Sequence, residues 1–331
     1  MIIRAESAFQ KVQDGIEPLL ANCPLNYVWK YEAHKEELRA LYEKAKKEQW
    51  NGQTYLNWQI SVDPEAPLMP DENNPIFGTH IWDKMTKAEQ GHFRRQSYGW
   101  MLSQFMHGEQ GALLTAAQIV NTVPWIDAKY YAATQVVDEA RHVEVYERYL
   151  REKVEVIYPI NVHLKTLLDQ VLCDPRWDMK YLGMQILIEG LALASFRMIH
   201  DFTIEPLIKE LIHMVMRDEA RHVAFGVLSL REYYHNELNE KERREREEFI
   251  YEASVLMRDR LVGVEVYERC GLPVEECKML TLQSTSMREF RKFLFMRIVP
   301  NIRRLGLLTP WVKEKFAEMD ILKFEDFPAD A

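Results

Sequence analysis

The string Asp-Glu-Ala-Arg-His-Val occurs twice in this chain, at residues 138–143 and again at 218–223. Each copy holds a Glu-x-x-His pair, Glu139 with His142 and Glu219 with His222. Thirty residues upstream of each pair stands a lone glutamate, Glu109 and Glu189. Residues three apart share one helix face, so each glutamate and its histidine can reach the same point. Glu109 shares its face with Phe105, Ala112, Leu113 and Ala116, and Glu189 with Ile186, Ala192, Leu193 and Phe196. These are core-facing stripes with a carboxylate in the middle. An isolated buried carboxylate costs several kcal/mol even after relaxation, so four of them need compensation. Two divalent cations neutralise four glutamates and use two imidazoles, which is the ligand set of a dinuclear centre built inside a four-helix bundle.

The punctuation of the chain supports that bundle. From 87 to 237 apolar residues recur at spacings of three and four, as in Leu102, Phe105 and Met106. Asn121-Thr122-Val123-Pro124 separates a first and a second helix. Tyr158-Pro159-Ile160-Asn161 and Asp174-Pro175 bracket a longer crossover with its own short helix. A break at 201–206 separates a third from a fourth helix, with Thr203 as expected N-cap. Short loop, long crossover, short loop is the connectivity of an all-α, ferritin-like four-helix bundle, here with additional flanking helices. Residues 1–86 read as an N-terminal extension packed on the core, with a charged helix at 31–49 and a Pro- and Asp-rich loop at 62–75. Residues 87–237 read as the bundle, and 238–331 as C-terminal helices of the same domain. The charge run at 237–249 predicts a solvated helix face.

Composition narrows the partners. With 331 residues, 47% hydrophobic content and a net charge of −9, the chain can bury a large core and offers no basic footprint for nucleic acid. Cys23, Cys173, Cys270 and Cys277 are scattered and lack knuckle spacing, which argues against zinc-ribbon or rubredoxin-type sites and for a reducing cytoplasm. Residues 1–15 lack the apolar core of a signal peptide. The most membrane-like stretch, 182–199, carries Gln185, Glu189, Ser195 and Arg197, so a buried bundle helix is expected there, not a membrane span. A homodimer is one assembly open to such a chain.

Oxygen-rich sites with one imidazole per metal suit iron or manganese, so two iron ions are expected, with a Mn/Fe pair as the alternative. Asp138 and Asp218 precede the ligand glutamates and are candidates to accept the second N–H of each imidazole, with Arg141 and Arg221 balancing their charge. Gln135 and Gln185 each lie one turn before a ligand glutamate and can hydrogen-bond at the centre. No flavin, NAD or haem motif is evident, so electrons come from a separate reductase or from the substrate.

The lone carboxylate followed by Glu-x-x-His, twice over, resembles the di-iron carboxylate superfamily. Its members include ribonucleotide reductase small subunits, multicomponent monooxygenase hydroxylases, acyl carrier protein desaturases and p-aminobenzoate N-oxygenase-like proteins. The resemblance covers roughly 87–237. It implies metal ligands at Glu109, Glu139, His142, Glu189, Glu219 and His222, and a reaction in which O2 oxidises a small organic substrate by hydroxylation or N-oxygenation. Departures sort the branches. Glu109 stands where reductase small subunits use aspartate, and Tyr146 stands where they carry a radical tyrosine, leaving a redox role open beside a packing role. Leu193 replaces the threonine of the monooxygenases, and Val215 the third histidine of the N-oxygenase group. Phe105, Leu113, Ala192, Leu193 and Phe196, with the small residues Ala112, Ala116 and Gly226, are expected to leave room for the substrate. The alternatives are a radical-generating or Mn/Fe oxidase like the reductase small subunit, a ferroxidase or peroxide scavenger, and a metal-binding bundle without enzymatic activity.

Overall fold

The computed structural model describes residues 15–328, so the stretch read for a signal peptide lies outside the described residues except for Gly15. Among them the regular structure is helical throughout. The first bundle helix, Lys87–Thr122, opens on a capping box. Thr86 accepts from the Glu89 N–H while the Glu89 carboxylate accepts from the Thr86 N–H. It packs along its length against the second, Ile126–Tyr149. That helix continues as a π-helical segment, Leu150–Val154, and stops where Glu155 takes the left-handed conformation at φ 56°. The crossover helix, Val162–Cys173, is N-capped by the Asn161 side chain. The third bundle helix runs without a break from Trp177–Tyr181 through a seven-residue π segment, Leu182–Ile188, into Glu189–Phe202. The fourth is Pro206–Asn236.

The cap of the fourth helix differs from expectation. Glu205, not Thr203, accepts from the Leu207 and Ile208 N–H groups, and Pro206 occupies the first turn. Thr203 instead ends the third helix, its hydroxyl accepting from the Glu205 N–H at 3.2 Å. The N-terminal helix is also shorter than expected, Glu36–Lys47, because the preceding backbone is pinned: His34 and Lys35 N–H both donate to Asp127 Oδ2 at 3.0 Å. It lies on the second and fourth bundle helices.

The charge run is only partly solvated. In the helix Glu240–Asp259, Arg246 is buried and pairs with Asp178 at 3.0 Å, and Glu247 is buried too. This helix packs on the crossover and on the π segment of the third bundle helix, so its inner face needs a charge partner. Covered from that side and by the helices at 294–304, the third helix is enclosed. Residues Trp177–Phe202 are long and apolar enough to cross a membrane, but 78% of the apolar window is buried inside the protein, which accounts for its character.

Gly226 is a place of close approach. A Cβ there would lie 2.7 Å from the Cβ of Gln185, so this position seats the π segment against the fourth helix and leaves no substrate room. Gly226→Ala is expected to destabilise by about 1–3 kcal/mol, as overpacking does. Denaturant unfolding of the metal-free protein checks it; a neutral change would mean the segment yields freely.

Candidate metal centre

The two hexapeptides face each other from the second and fourth helices, and the lone glutamates come from the first and third. All six predicted ligands are buried. They form two overlapping sets whose donor atoms lie within 4.8 Å of one another: Glu109, Glu139, His142 and Glu219 in one, Glu139, Glu189, Glu219 and His222 in the other. Glu139 and Glu219 belong to both. The grouping is therefore two terminal carboxylate–imidazole pairs joined by two shared carboxylates.

Each imidazole turns Nδ1 inward. His142 Nδ1 lies 3.1 Å from Glu219 Oε1 and 3.3 Å from Glu139 Oε2, and His222 Nδ1 lies 3.1 Å from Glu139 Oε1. Each turns Nε2 outward to an aspartate, and the pairing is crossed: His142 faces Asp218 Oδ2 and His222 faces Asp138 Oδ2, both at 3.2 Å. Arg141 bridges the two aspartates, as does Arg221. Each copy of the repeat thus orients the histidine of the other.

Sequence reasoning missed what completes this layer. Gln49 Nε2 donates to Asp138 Oδ1 at 2.8 Å, Trp50 Nε1 donates to Asp218 Oδ2 at 2.7 Å, and Arg221 Nη1 donates to Glu48 Oε2 at 2.7 Å. These three residues follow a charged surface helix with no periodicity of their own, so nothing in the sequence marked them. Gln135 was singled out, and its amide donates to Glu139 Oε1 and Glu189 Oε1, both at 2.9 Å, while Gln185 donates to Gln135 at 3.3 Å.

The donor set fits a pair of cations. Glu139 Oε2, Glu189 Oε2, both Glu219 oxygens and His222 Nδ1 are buried without a hydrogen-bond partner among the described residues. Buried polar atoms are rarely left so. Burial, with the charge of Glu219 next, pushes the Glu109 and Glu189 carboxyls well above the usual range. Burial opposes charge on both imidazoles, yet both are raised well above the ordinary value. Hydrogen bonds to Asp218 and Glu109 do this for His142, and the charges of Glu139 and Glu219 do it for His222. A cation must displace protons from these four groups. Metal uptake is therefore expected to release protons and to weaken as pH falls. Anaerobic ferrous titration in buffers of different ionisation enthalpy tests this; pH-independent affinity would refute it.

A chamber of about 20 Å3 adjoins Glu109, Glu189 and Glu219, lined also by Phe105, Ala192 and Phe196. Leu113 and Leu193, expected beside them, do not line it. The lining on the first helix is 104, 105, 108, 109 and 112, so the face is centred about one residue before Glu109 and Leu113 rotates off it, at 100° per residue. The same offset removes Leu193 on the third helix. Tyr146 is fully buried between Phe105 and Phe196, and its hydroxyl has no partner among the described residues. Burial, then the charges of Glu109 and Glu219, raise its phenol well above the ordinary value. Val215 is fully buried.

The sequence profile described as "P-aminobenzoate N-oxygenase AurF" matches residues 32–306. No curated protein matches the chain. Among solved structures, an R2-like ligand-binding oxidase with aerobically reconstituted metal cofactor after photoconversion is similar at 15% identity, TM-score 0.52, over 83% of this chain and 94% of that one. A mutant R2-like ligand-binding oxidase with aerobically reconstituted Mn/Fe cofactor is similar at 16% identity, TM-score 0.50, over 87% and 94%. At such identities the likeness speaks for the helical fold.

Proposed function

Since the chain belongs to the p-aminobenzoate N-oxygenase AurF family, we propose that it uses O2 to oxidise a small organic substrate at a metal pair held by Glu109, Glu139, His142, Glu189, Glu219 and His222. It is an O2-dependent oxidoreductase of the non-haem, ferritin-like type. The observation that carries the ligand assignment is the pair of buried four-residue sets sharing Glu139 and Glu219. Iron or a Mn/Fe pair suits donors of this kind.

When bound, the metal pair supplies activation of dioxygen. The chain's own residues do the rest. Glu139 and Glu219, common to both four-residue sets, would hold both ions. Gln135 ties Glu139 to Glu189 and so couples a shared carboxylate to a terminal one. Asp138 and Asp218 fix the imidazole orientation, and by accepting the outer imidazole N–H they raise ligand basicity. Phe105 and Phe196, packed edge to face at 4.8 Å, wall the chamber and limit water.

Val215 gives the site one imidazole per metal, where the N-oxygenase group has a further histidine, so hydroxylation and N-oxygenation both remain outcomes of the same test. Electrons come from a separate donor or from the substrate. The four free cysteines agree with a cytoplasmic setting. A redox role for Tyr146 is supported by its burial next to the cluster, where it feels the charges of Glu109 and Glu219.

The test is anaerobic loading with ferrous iron, then oxygen. Two irons per chain and iron-dependent oxygen uptake are expected, with uptake accelerated by one class among amines, aromatics and fatty acyl compounds. Fewer than two irons, or no uptake, would overturn the reading. Tyr146→Phe is expected to abolish any tyrosyl signal seen by electron paramagnetic resonance; wild-type protein lacking that signal would end the redox role alone.

A further inference from the structure

Five arginines are buried among the described residues. Arg141, Arg221 and Arg246 pair with carboxylates. Arg260 and Arg291 have no carboxylate partner among the described residues. Arg260, at the C-cap of the helix Glu240–Asp259, lines the chamber beside Glu109, Glu189 and Glu219, so it belongs to the metal site. Arg291 lies elsewhere, on the helix Thr285–Phe293, and is only 8% exposed. Its Nη2 donates to the Thr281 carbonyl at 3.1 Å, but its Nε is buried without an acceptor. A guanidinium carries five donors and no acceptor, and burying it unpaired is costly.

Arg291 lines a cavity of about 100 Å3, several times the space one water needs. Arg258, Arg288 and Lys292 line it too, so four cations converge there in a chain whose net charge is −9. No carboxylate is among the lining residues. Carboxylates behind them hold two of the four: Asp259 pairs with Arg258 at 2.7 Å, and Glu289 with Lys292 at 3.0 Å, where Asp320 joins it. Arg288 reaches only the Thr285 hydroxyl, at 3.3 Å. Arg288 and Arg291 are therefore left uncompensated. Burial, with the charges of Arg258 and Arg288 outweighing that of Asp259, holds the Arg291 guanidinium below its ordinary value. Like charges gathered round one cavity repel, and an anion inside it removes the repulsion.

The rest of the wall is apolar, made by Phe295, Met319 and Ile321. The cavity shares no lining residue with the metal chamber. Nor does it share one with a separate apolar cavity of about 200 Å3, which another face of the same helix lines through Met287 and Phe290.

We propose that Arg258, Arg288, Arg291 and Lys292 form a phosphate-binding site, taking either inorganic phosphate or the phosphate group of a small phosphomonoester. The site goes beyond the oxygenase reading and needs no metal. A phosphomonoester carries a charge of about −1.5 to −2 at neutral pH and three strong acceptor oxygens. That charge answers the two uncompensated guanidinium groups, and the oxygens supply the acceptor that Arg291 Nε lacks. A carboxylate brings one charge and leaves one guanidinium unmatched. Arginine forks also suit phosphate geometry, through paired N–H···O bonds. Phe295, Met319 and Ile321 are placed to hold the organic part of an ester.

Calorimetric titration of the full chain with inorganic phosphate, phenyl phosphate and acetate, at fixed ionic strength, tests it. Phosphate also binds iron, so each titration is run on iron-loaded and on metal-free protein. One phosphate per chain is expected in both forms, bound about tenfold or more tightly than acetate. Arg288→Gln, at an exposed position, is expected to weaken it about tenfold or more with iron content unchanged. Arg197→Gln, which removes a positive charge that does not line the cavity, is the control and should leave binding as it was. Tighter binding of phenyl phosphate than of inorganic phosphate identifies a phosphomonoester as the ligand, and equal binding identifies free phosphate. No saturable binding, binding only when iron is present, acetate bound as tightly as phosphate, or an Arg288→Gln chain that binds no more weakly than Arg197→Gln would each overturn the site. The wild-type comparison needs no variant to fold.

Discussion

Glu219→Ala is expected to cost the protein both metal ions, leaving fewer than one per chain by plasma emission analysis, and to lower oxygen-coupled turnover by more than about 100-fold. Altering a residue that merely orients a ligand typically costs 10–100-fold in affinity or activity. Losing a ligand common to both four-residue sets removes more than that. Glu109→Ala is the contrast, because Glu109 belongs to one set; it should retain the ion held by Glu139, Glu189, Glu219 and His222. Equal losses in the two variants would sink the assignment of Glu219 as shared. The metal-free fold should respond in the opposite direction. The charge of Glu219 helps raise the carboxyls of Glu109 and Glu189. Glu219→Gln relieves that repulsion at constant shape, so the metal-free chain should be as stable as wild type or more so.

The clustering of the six candidate ligands was legible in the sequence because helices convert spacing into direction. A repeat of Glu-x-x-His and equal offsets to Glu109 and Glu189 suffice to aim six side chains at one place. Which glutamates are common to both sets was not legible. That depends on how the four helices are rotated about their axes, and the same rotation carries Leu113 and Leu193 off the chamber face. The π segment at Leu182–Ile188 was hidden too. Its apolar text reads as ordinary helix, and only the fit of Gln185 against Gly226 shows the extra residue being absorbed just before Glu189, a setting in which π turns recur. Arg260 was invisible for a different reason. An arginine at the end of a charged helix is ordinarily solvated, and its burial exists only in the packing of that helix over the bundle. Arg246 on the same helix is buried with a partner, so charge pattern alone could not tell the two apart.

The crossed aspartates carry the second large expectation. Asp218 takes hydrogen bonds from Trp50 Nε1 at 2.7 Å, Arg141 Nη2 at 3.0 Å and Arg221 Nη2 at 2.5 Å, and faces His142 Nε2 at 3.2 Å. Asp218→Ala leaves Arg141 with Asp138 as its carboxylate partner, and Arg221 with Asp138 at 3.5 Å and Glu48 at 2.7 Å. Breaking one member of such a cluster costs about 3–5 kcal/mol, since the cost is that of uncompensated buried charge. Denaturant unfolding of the metal-free variant should show that loss. The Asp218→Ala/Arg221→Met pair should recover part of it, with a coupling of about 1–3 kcal/mol. The pH dependence has a definite sign. Burial opposes ionisation of Asp218, but His142 and then Arg221 outweigh it and hold the carboxyl below its usual range. A depressed folded pKa stabilises above the unfolded value of about 4 and loses that contribution as pH falls through the folded one. Wild type should therefore lose more stability than Asp218→Ala on acidification below about pH 4. A variant that loses under about 1 kcal/mol at pH 7 would mean that water reaches the cluster, because Glu48 reaches Arg221 and solvent would have to replace Asp218 at Arg141.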